Sequence, residues 1–335
     1  MWLENHNLKK YNTFGFDVSA RYFVEPDSVV DVKKAVAEAH RLKVPIFVLG
    51  GGSNVLFTKN IDGIVVKPAM KDLDVLKRSE TQVWVTVGAG VVWDHLVEWC
   101  VANNWGGLEN LSHIPGTAGA APVQNIGAYG AEIKDVVQSV EGFYLETLES
   151  FTFSRSECAF GYRSSIFKTD LYGKVIITRV TFALSATPRI ETRYGQIEEY
   201  LKNQPDRSIQ SVRRAIISIR TQKLPDPEKM GNAGSFFKNP VVPESVALHI
   251  KESYPQIPLY ESESGYYKLP AAFLIEKAGW KGVRRGDVGV HTDQPLVLVA
   301  FTGATGAQIV SLSQEIQESV KDQFGVWLEP EVNIL

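Results

Sequence analysis

The segment Ile114–Gly130 reads IPGTAGAAPVQNIGAYG and consists mostly of small residues. Such a run suits the interior of neither a helix nor a strand, because glycine loses more backbone entropy there and offers no side chain to pack. It does let backbone N–H groups approach a bulky anion or a flat ring closely. The segment therefore indicates either a cofactor-binding loop or a long surface loop of glycine and alanine.

Two further glycine clusters precede this segment, and each follows a predicted strand. The cluster GGGSN at residues 50–54 comes after the apolar run Ile46–Leu49, and Gly88–Gly90 ends the run QVWVTV. Neither is a common nucleotide motif, since no Lys-Ser or Lys-Thr follows the first cluster at P-loop spacing and Trp93 occupies the third glycine position of a dinucleotide fingerprint. The three segments together favour a cofactor cradle of a different design.

The composition is that of an ordinary globular chain, long enough at 335 residues for two or three domains. With a net charge of −3, no global basic field points to nucleic acid or to a membrane surface. The two cysteines, Cys100 and Cys158, have no metal-ligand spacing, and we expect both to be small buried hydrophobes. The chain start lacks an apolar signal region, and no later run reaches membrane-spanning length. We expect a cytoplasmic protein without a metal, nucleic-acid or membrane partner.

The spacing of apolar residues predicts a mixture of helices and strands, as in an α+β or α/β protein. Ser28 and Asp31 resemble a capping box at the start of a helix that would bury Val32, Val36 and Ala39. Further helices are predicted from residue 208 and through 96–101, 246–250, 271–278 and 309–324, and strands through 46–49, 64–66, 82–87, 136–144, 174–184 and 296–301.

The Leu224–Pro227 segment contains two prolines and is the predicted domain boundary, because proline ends the preceding helix. We expect a first domain of residues 1–225, a second of residues 226–325, and a C-terminal strand at 326–335. That strand would be interrupted by Glu329, Pro330 and Glu331.

Long segments spread over nearly the whole chain resemble one family, UDP-N-acetylenolpyruvoylglucosamine reductase, the flavoenzyme of bacterial peptidoglycan precursor synthesis. The segments are NTFGFDVSARYFVEP, VLGGGSNVL, GLENLSHIPGTAGAAPVQNIGAYG, FGYRSSIFK, RTQKLPDPEKMGNAGSFFKNP, GVHTDQPLVLV and WLEPEV. The segment YRSSIFK together with Tyr194 is similar to the larger subtype, in which a tyrosine loop folds over the substrate. The resemblance implies an α+β chain. It would consist of a two-subdomain FAD-binding fold of the vanillyl-alcohol-oxidase type, divided at about residue 70, and a C-terminal α+β substrate-binding domain.

The same resemblance implies the cofactor, the reductant, the substrate and the site residues. FAD would be the cofactor, NADPH the reductant and UDP-N-acetylglucosamine enolpyruvate the substrate of an expected monomer. The implied catalytic group is Arg163, Ser235 and Glu331. The implied FAD contacts are Gly50, Gly51, Gly52, Ser53, Asn54, Ile114, Pro115, Gly116, Gly119, Ala120, Gln124, Asn125, Gly127 and Arg220. The implied substrate contacts are Tyr162, Tyr194, Lys223, Asn239 and Gln294.

The implied reaction explains the need for these side chains. An enol ether is electron-rich and accepts hydride poorly, so a group must draw charge into its carboxylate, which the planar fork of Arg163 suits. Glu331 would assist only if protonated, which requires a raised pKa in an apolar setting. Ser235 would donate the proton at the other carbon, with Lys238 or Glu331 stabilising the alkoxide.

Two other activities remain open from the sequence. An oxidase on the same scaffold would pass electrons to oxygen, and a non-enzymatic flavin or nucleotide binder would keep the fold without the chemistry. A Ser-His-Asp site is not indicated, because His95, His113 and His291 are scattered, with no nucleophile elbow and no zincin spacing. We expect these histidines to be structural or exposed.

Overall fold

The computed structural model describes residues 2–190, 192, 195–202, 206–262 and 264–335. The chain divides into two compact units. Unit 1 comprises Met1–Asn7, Ser19–Gly52 and Asn60–Gln222; unit 2 comprises Leu8–Val18, Ser53–Lys59 and Lys223–Leu335. No sequence pattern indicated that two N-terminal segments belong to the unit that contains the C-terminal third of the chain.

The bounds of the regular elements are as follows. The helices are α1 (Val29–Leu42), α2 (Trp93–Ala102), α3 (Gly195–Leu201), α4 (Ile209–Lys223), α5 (Glu244–Ser253), α6 (Ala271–Lys277) and α7 (Gly306–Phe324). The strands are β1 (Leu3–Asn7), β2 (Ser19–Val24), β3 (Ile46–Val48), β4 (Val55–Leu56), β5 (Ile61–Val66), β6 (Leu73–Arg78), β7 (Gln82–Gly88), β8 (Gly127–Ala128), β9 (Ala131–Glu132), β10 (Val137–Tyr144), β11 (Ser150–Ser154), β12 (Val175–Ser185), β13 (Gly231–Ser235), β14 (Val241–Pro243), β15 (Tyr260–Glu261), β16 (Tyr266–Lys268), β17 (Arg284–Arg285), β18 (Val288–Val290), β19 (Val297–Ala300) and β20 (Asn333–Ile334).

Unit 1 contains a four-stranded sheet in the order β1-β2-β5-β3. Strands β2, β5 and β3 are parallel and β1 is antiparallel to β2. Helix α1 packs its buried Val32, Val36 and Ala39 into the same core as Ile64. The predicted helix start is confirmed, because the backbone N–H of Asp31 donates to Ser28 Oγ.

The second sheet of unit 1 is antiparallel, with five strands in the order β11-β10-β12-β7-β6. Helix α2 packs on it through a fully buried face that includes Trp93, Leu96 and Cys100. The sequence analysis missed the two outer strands, β6 and β11. Both are edge strands, and β6 is almost entirely exposed, so it carries little apolar alternation.

The Gly88–Gly90 cluster serves backbone packing. A Cβ atom on Gly88 would lie 2.6 Å from the Met70 carbonyl oxygen, and one on Gly90 would lie 2.6 Å from Ala69 Cα. Both distances are too short for a real Cβ contact, so only glycine lets β7 and residues 69–70 approach this closely. The close approach gives these glycines a structural reason other than dinucleotide binding.

Unit 2 is built on the antiparallel sheet β13-β19-β18-β17, with a second sheet β14-β16-β15. Helix α7 buries the predicted apolar face and ends at Gly325 in the left-handed conformation (φ 68°). Two glycines explain how the N-terminal segments join this unit. A Cβ atom on Gly231 would overlap the Phe14 carbonyl oxygen, and one on Gly306 would overlap that of Phe57.

The C-terminal tail differs from the predicted strand at 326–335. Only Asn333–Ile334 forms a strand, β20, which pairs in parallel with β4. Upstream, Pro330 forms an isolated bridge with Phe237. Proline has no N–H to donate to a ladder, which fits the predicted interruption at residues 329–331, but residues 326–329 before it form no strand either. The tail instead pairs with two different segments of unit 2.

Both cysteines are fully buried, as predicted. Burial raises the pKa of the Cys100 thiol to about 12, with a further contribution from Glu109. Burial likewise raises the pKa of the Cys158 thiol to about 12, with a contribution from Glu157. Among the described helices, none is both long enough and apolar enough to cross a membrane.

We expect the native protein to release no detectable thiolate to an aromatic disulfide reagent at pH 8 within minutes. After unfolding in guanidinium, two equivalents should react, one for each free cysteine. The reason is that the thiolate is the reactive species, and its fraction at pH 8 is only about 10⁻⁴ for such a raised pKa. Free cysteine is the control, and rapid labelling of either thiol in the folded chain would contradict the expectation.

Candidate active site

Two of the three glycine-rich segments lie against each other in unit 1. They are Gly50–Gly52 and Ile114–Gly127, and both were predicted to hold FAD. A Cβ atom on Gly50 would lie 2.9 Å from Ala120 Cβ, and one on Gly51 would lie 2.8 Å from Gly116 Cα. Such close spacing is possible only because residues 50 and 51 are glycines. We call Gly50–Gly52 the first loop and Ile114–Gly127 the flavin loop.

Much of the flavin loop's backbone is bonded within the protein. The N–H of Gly119 donates to the Ala89 carbonyl (3.0 Å), and that of Ala120 donates to Thr117 (3.0 Å). These two N–H groups are therefore not directed at a ligand, although both residues were predicted to contact FAD. By contrast, the N–H groups of Gly51 and Gly116 have no hydrogen-bond acceptor among the described residues. Two such donors on touching glycine backbones fit a pyrophosphate-sized anion.

Replacing Gly51 with alanine is expected to weaken FAD binding. The added Cβ would force the loops apart at a cost of about 1–3 kcal/mol, which raises the FAD dissociation constant about 5–150-fold. Flavin fluorescence titration of the apoprotein measures this. The matched control is Gly161→Ala, where an added Cβ has 3.7 Å of room and φ is not positive. Equal FAD affinity in the two variants would contradict the assignment of this contact.

Arg163 lies at the tip of a tight turn. Gly161 and Ser164 exchange backbone hydrogen bonds across it, and Arg163 adopts a left-handed φ of 51°, which is uncommon outside glycine. Its Nη2 donates to the Gly127 carbonyl at 2.7 Å, and its guanidinium lies 5.7 Å from the centre of the Tyr162 ring. The turn therefore brings Arg163 and Tyr162 to the end of the flavin loop.

Asn125 holds this turn in place. It is fully buried, and its Nδ2 donates to the Gly161 carbonyl (2.9 Å) and to Glu132 Oε2 (3.0 Å). Its Oδ1 accepts from the Lys134 N–H at 3.1 Å. The sequence analysis assigned Asn125 to FAD, but its side-chain amide is bonded to the protein on both atoms. The neighbouring Gln124 accepts from Lys168 Nζ at 3.2 Å.

Arg220 lies close enough to Arg163 for their charges to interact. Its Nε donates to the His113 carbonyl at 3.1 Å, and its side chain also hydrogen-bonds Tyr129. Burial lowers the pKa of Arg220, against the raising effects of Tyr129 and Asp94, and the charge of Arg163 lowers it further. Two arginines close enough to repel one another make this region favourable for an anion.

Tyr129 was missed by the sequence analysis. No local sequence pattern marks Tyr129, and only the structure shows its left-handed conformation (φ 50°), which is uncommon for an aromatic residue. Beside it lies a cavity of about 710 Å³ whose walls include Glu109, Asp135 and Arg189. Within the described part of the chain, none of the residues predicted for FAD or substrate lines this cavity.

In unit 2, Ser235 is exposed at the end of β13. A register irregularity between Asn232 and Ser235 precedes it, with Gly234 in the left-handed region (φ 69°). Buried Asn232 stabilises this bend, because its Nδ2 donates to the Met230 carbonyl (2.8 Å) and its Oδ1 accepts from the Gly234 N–H (2.9 Å). The bend takes Ala233 and Gly234 out of the regular ladder, which resumes where Ser235 pairs with Val297.

Glu331 is paired directly to the segment that follows Ser235. The Glu331 N–H donates to the Phe236 carbonyl at 2.7 Å, so two residues far apart in sequence become neighbours within unit 2. Asn54 supports the pairing, since its Nδ2 donates to the Glu331 carbonyl at 3.3 Å and its carbonyl accepts from Asn333 Nδ2 at 2.9 Å. Asn54, predicted to contact FAD, thus also anchors the tail.

The remaining predicted residues have varied surroundings. Lys238 Nζ forms an ion pair with Glu329 Oε2 at 3.0 Å, so its charge is already matched. Asn239 Oδ1 accepts from the Ala271 N–H at the start of α6 (2.9 Å). Burial lowers the pKa of Lys223. Tyr194 lies outside the described residues.

The histidines behave as expected from the sequence. His291 Nδ1 accepts from the N–H groups of Asp293 and Gln294, both at 3.2 Å, which places the predicted substrate contact Gln294 next to a structural histidine. His95 is exposed. Among the described residues, no group of His, Cys, Asp and Glu side chains is placed to hold a metal ion.

Comparison with known proteins gives consistent matches in both parts of the chain. Residues 20–144 match an FAD binding domain, and residues 226–335 match the UDP-N-acetylenolpyruvoylglucosamine reductase C-terminal domain. The reductase of that name from Amoebophilus asiaticus is 46% identical over 334 residues, covering 99% of this chain and 98% of the relative. The one from Pseudomonas putida is 46% identical over 335 residues, with the same coverage. The crystal structure of the Thermus caldophilus reductase shares the fold, with a TM-score of 0.68 at 24% identity, over 100% of this chain and 98% of that one.

Proposed function

Because this chain belongs to the UDP-N-acetylenolpyruvoylglucosamine reductase family, we propose that it is the NADPH-dependent flavoenzyme that reduces UDP-N-acetylglucosamine enolpyruvate to UDP-N-acetylmuramate. The observation that carries this function is the 46% identity along 99% of the chain. It covers the glycine loops, the Arg163 turn and the Ser235 bend together. The activity is that of a UDP-N-acetylmuramate dehydrogenase.

FAD, when bound, takes hydride from NADPH and supplies it to the substrate. The chain's part is to hold it, and the touching backbones of Gly51 and Gly116 support a contact with its pyrophosphate. Arg220, half-buried and bonded to His113 and Tyr129, offers a fixed cation to the isoalloxazine. Most of the other proposed FAD contacts lie in the same two loops, and Ser53 and Asn54 directly follow the first loop in sequence.

Arg163 has the role of binding the substrate carboxylate. As charge develops on that carboxylate, a guanidinium that stays protonated stabilises it through a bidentate fork. The bond from Nη2 to the Gly127 carbonyl (2.7 Å) helps to fix the orientation of the guanidinium. Such preorganised donors avoid reorganisation during the reaction.

Ser235 has the role of proton donor. Hydride arrives at the terminal carbon of the enol ether, and the Ser235 hydroxyl then delivers its proton to the carbon that bears the ether oxygen. Glu331, in its protonated form, assists by hydrogen-bonding the substrate carboxylate. The backbone bond between Glu331 and Phe236 supports this pairing of roles. Tyr162, Tyr194, Lys223, Asn239 and Gln294 are the proposed substrate contacts.

The same proposal extends to the cellular setting. We expect the enzyme to act as a monomer in the cytoplasm, bound to neither nucleic acid nor membrane. Its product enters peptidoglycan precursor synthesis, so its loss should disturb cell-wall biogenesis and with it cell shape, division and the cell cycle.

An anaerobic spectroscopic experiment tests the function. The purified protein should be yellow, should bleach on addition of NADPH, and should recover its colour when the enolpyruvyl sugar nucleotide is added. Recovery only on admission of air would support an oxidase instead. A colourless protein that takes up no FAD would exclude both enzymes.

A further inference from the structure

The backbone of His113 is held from both sides, immediately before the flavin loop. Its N–H donates to Asp94 Oδ1 at 2.6 Å, and its carbonyl accepts from Arg220 Nε at 3.1 Å. His113 has a φ of 60°, a conformation that costs energy in a residue other than glycine and persists only where surrounding contacts impose it. The two bonds are contacts of this kind.

Asp94 is in turn fixed by Arg213. The carboxylate and the guanidinium form two parallel hydrogen bonds, Nη1–Oδ1 at 2.6 Å and Nη2–Oδ2 at 3.0 Å. The Arg213 side chain is only 11% exposed and that of Asp94 only 26%. Burial would raise the pKa of Asp94, but the hydrogen bonds from Arg213 and the His113 N–H outweigh it and hold this pKa below its usual value. Asp94 is therefore charged at neutral pH.

The pair connects two helices to the loop. Asp94 lies in the first turn of α2, where the helix dipole favours a negative charge. Arg213 lies on α4, about two helical turns before Arg220 on the same face. Asp94 thus stabilises the Arg220 guanidinium in two ways. Its negative charge acts on the guanidinium directly, and its bond to the His113 N–H holds the carbonyl that accepts from Arg220 Nε. This support opposes the repulsion between Arg220 and Arg163.

We infer that Asp94 and Arg213 are positioning residues of the flavin site, which fix the His113 backbone and through it both the start of the flavin loop and the guanidinium of Arg220. The effect on bound flavin rests on the proposed function, whereas the anchoring of His113 does not. The sequence contains no motif that singles them out.

The test uses Asp94→Asn and Arg213→Gln, with Arg214→Gln as the matched control. Arg214 is the next residue on α4, and its ion pair with Asp206 (3.3 Å) is exposed on both sides. Hydrogen exchange of the His113 amide in the apoprotein should become at least about tenfold faster in both test variants and stay unchanged in the control. Should Arg213→Gln fail to fold, Asp94→Asn keeps an oxygen acceptor for His113 and still permits the measurement.

A second readout separates positioning from general loosening. With Arg220 displaced, reduced FAD should lose about tenfold in affinity relative to oxidised FAD, which lowers the flavin midpoint potential by about 30 mV. The control should keep the wild-type potential. The inference would be overturned if hydrogen exchange of the His113 amide were unchanged in both test variants. It would also be overturned if the flavin midpoint potential of the FAD-loaded variants were unchanged. If the wild-type chain bound no FAD, the proposed function would fail, while exchange at His113 would still decide the anchoring.

Discussion

Replacing Ser235 with alanine is expected to leave the bleaching of FAD by NADPH nearly unchanged and to slow the substrate-driven recovery of colour about 10²–10⁴-fold. The two half-reactions differ in their need for a proton on carbon. Reduction by NADPH places hydride on the flavin and needs no serine, whereas the enolate-like product of hydride transfer to the substrate remains unprotonated at one carbon. Anaerobic stopped-flow absorbance measures each half-reaction separately.

Two comparisons sharpen the Ser235 experiment. Ser235→Cys keeps an acidic proton at the same place, with an ordinary pKa near 8.5, and should recover part of the lost rate. The control is Ser262→Ala, at the serine that directly follows strand β15 in unit 2. It should leave both half-reactions unchanged. Equal slowing of both half-reactions by Ser235→Ala would show that the hydroxyl has another role.

Replacing Arg163 with methionine is expected to slow the substrate-driven half-reaction about 10²–10³-fold, a usual loss for one preorganised donor to a developing negative charge. Arg163→Lys should recover only a small part, because an ammonium keeps the charge but lacks the planar fork. The bond from Nη2 to the Gly127 carbonyl would also be lost in both variants. Stopped-flow rates at several substrate concentrations separate binding from reaction.

The control for this experiment is Arg155→Met, at an exposed arginine of the same unit. It should leave both half-reactions unchanged. The positive φ of Arg163 makes methionine and lysine comparable choices, since both carry a Cβ and bear the same backbone strain. A methionine variant that reacts with substrate at the wild-type rate would remove Arg163 from the catalytic group.

The amphipathic helices could be predicted from the sequence because their signal is local. In α1, α4 and α7 the buried residues recur at helical spacing, and the structure buries the predicted ones, such as Val212, Ile216 and Ile316. The glycine loops were also visible, since runs of small residues stand out at any position. For these elements, the residues of one short segment are sufficient to explain the local structure.

The family resemblance named candidate site residues, but it did not predict which groups of the protein their side chains contact. The family resemblance assigned Asn125 and Asn54 to FAD, which stays a prediction, and the structure adds that their side chains hold the Arg163 turn and the C-terminal tail. Tyr129 was missed, because its role depends on its contact with Arg220. Partners of this kind are distant in sequence and carry no local signature.

By itself, the amino-acid sequence determined the helices that bury one face, the glycine-rich loops and the family to which the chain belongs. Only the tertiary structure decided that residues 8–18 and 53–59 join the C-terminal unit, that the tail pairs beside Ser235, and that Asp94 reaches the His113 backbone. The physical reason is that periodicity and propensity act between neighbours in sequence. Ladder pairing, close glycine contacts and buried ion pairs depend instead on which distant segments the folded chain brings within a few ångströms.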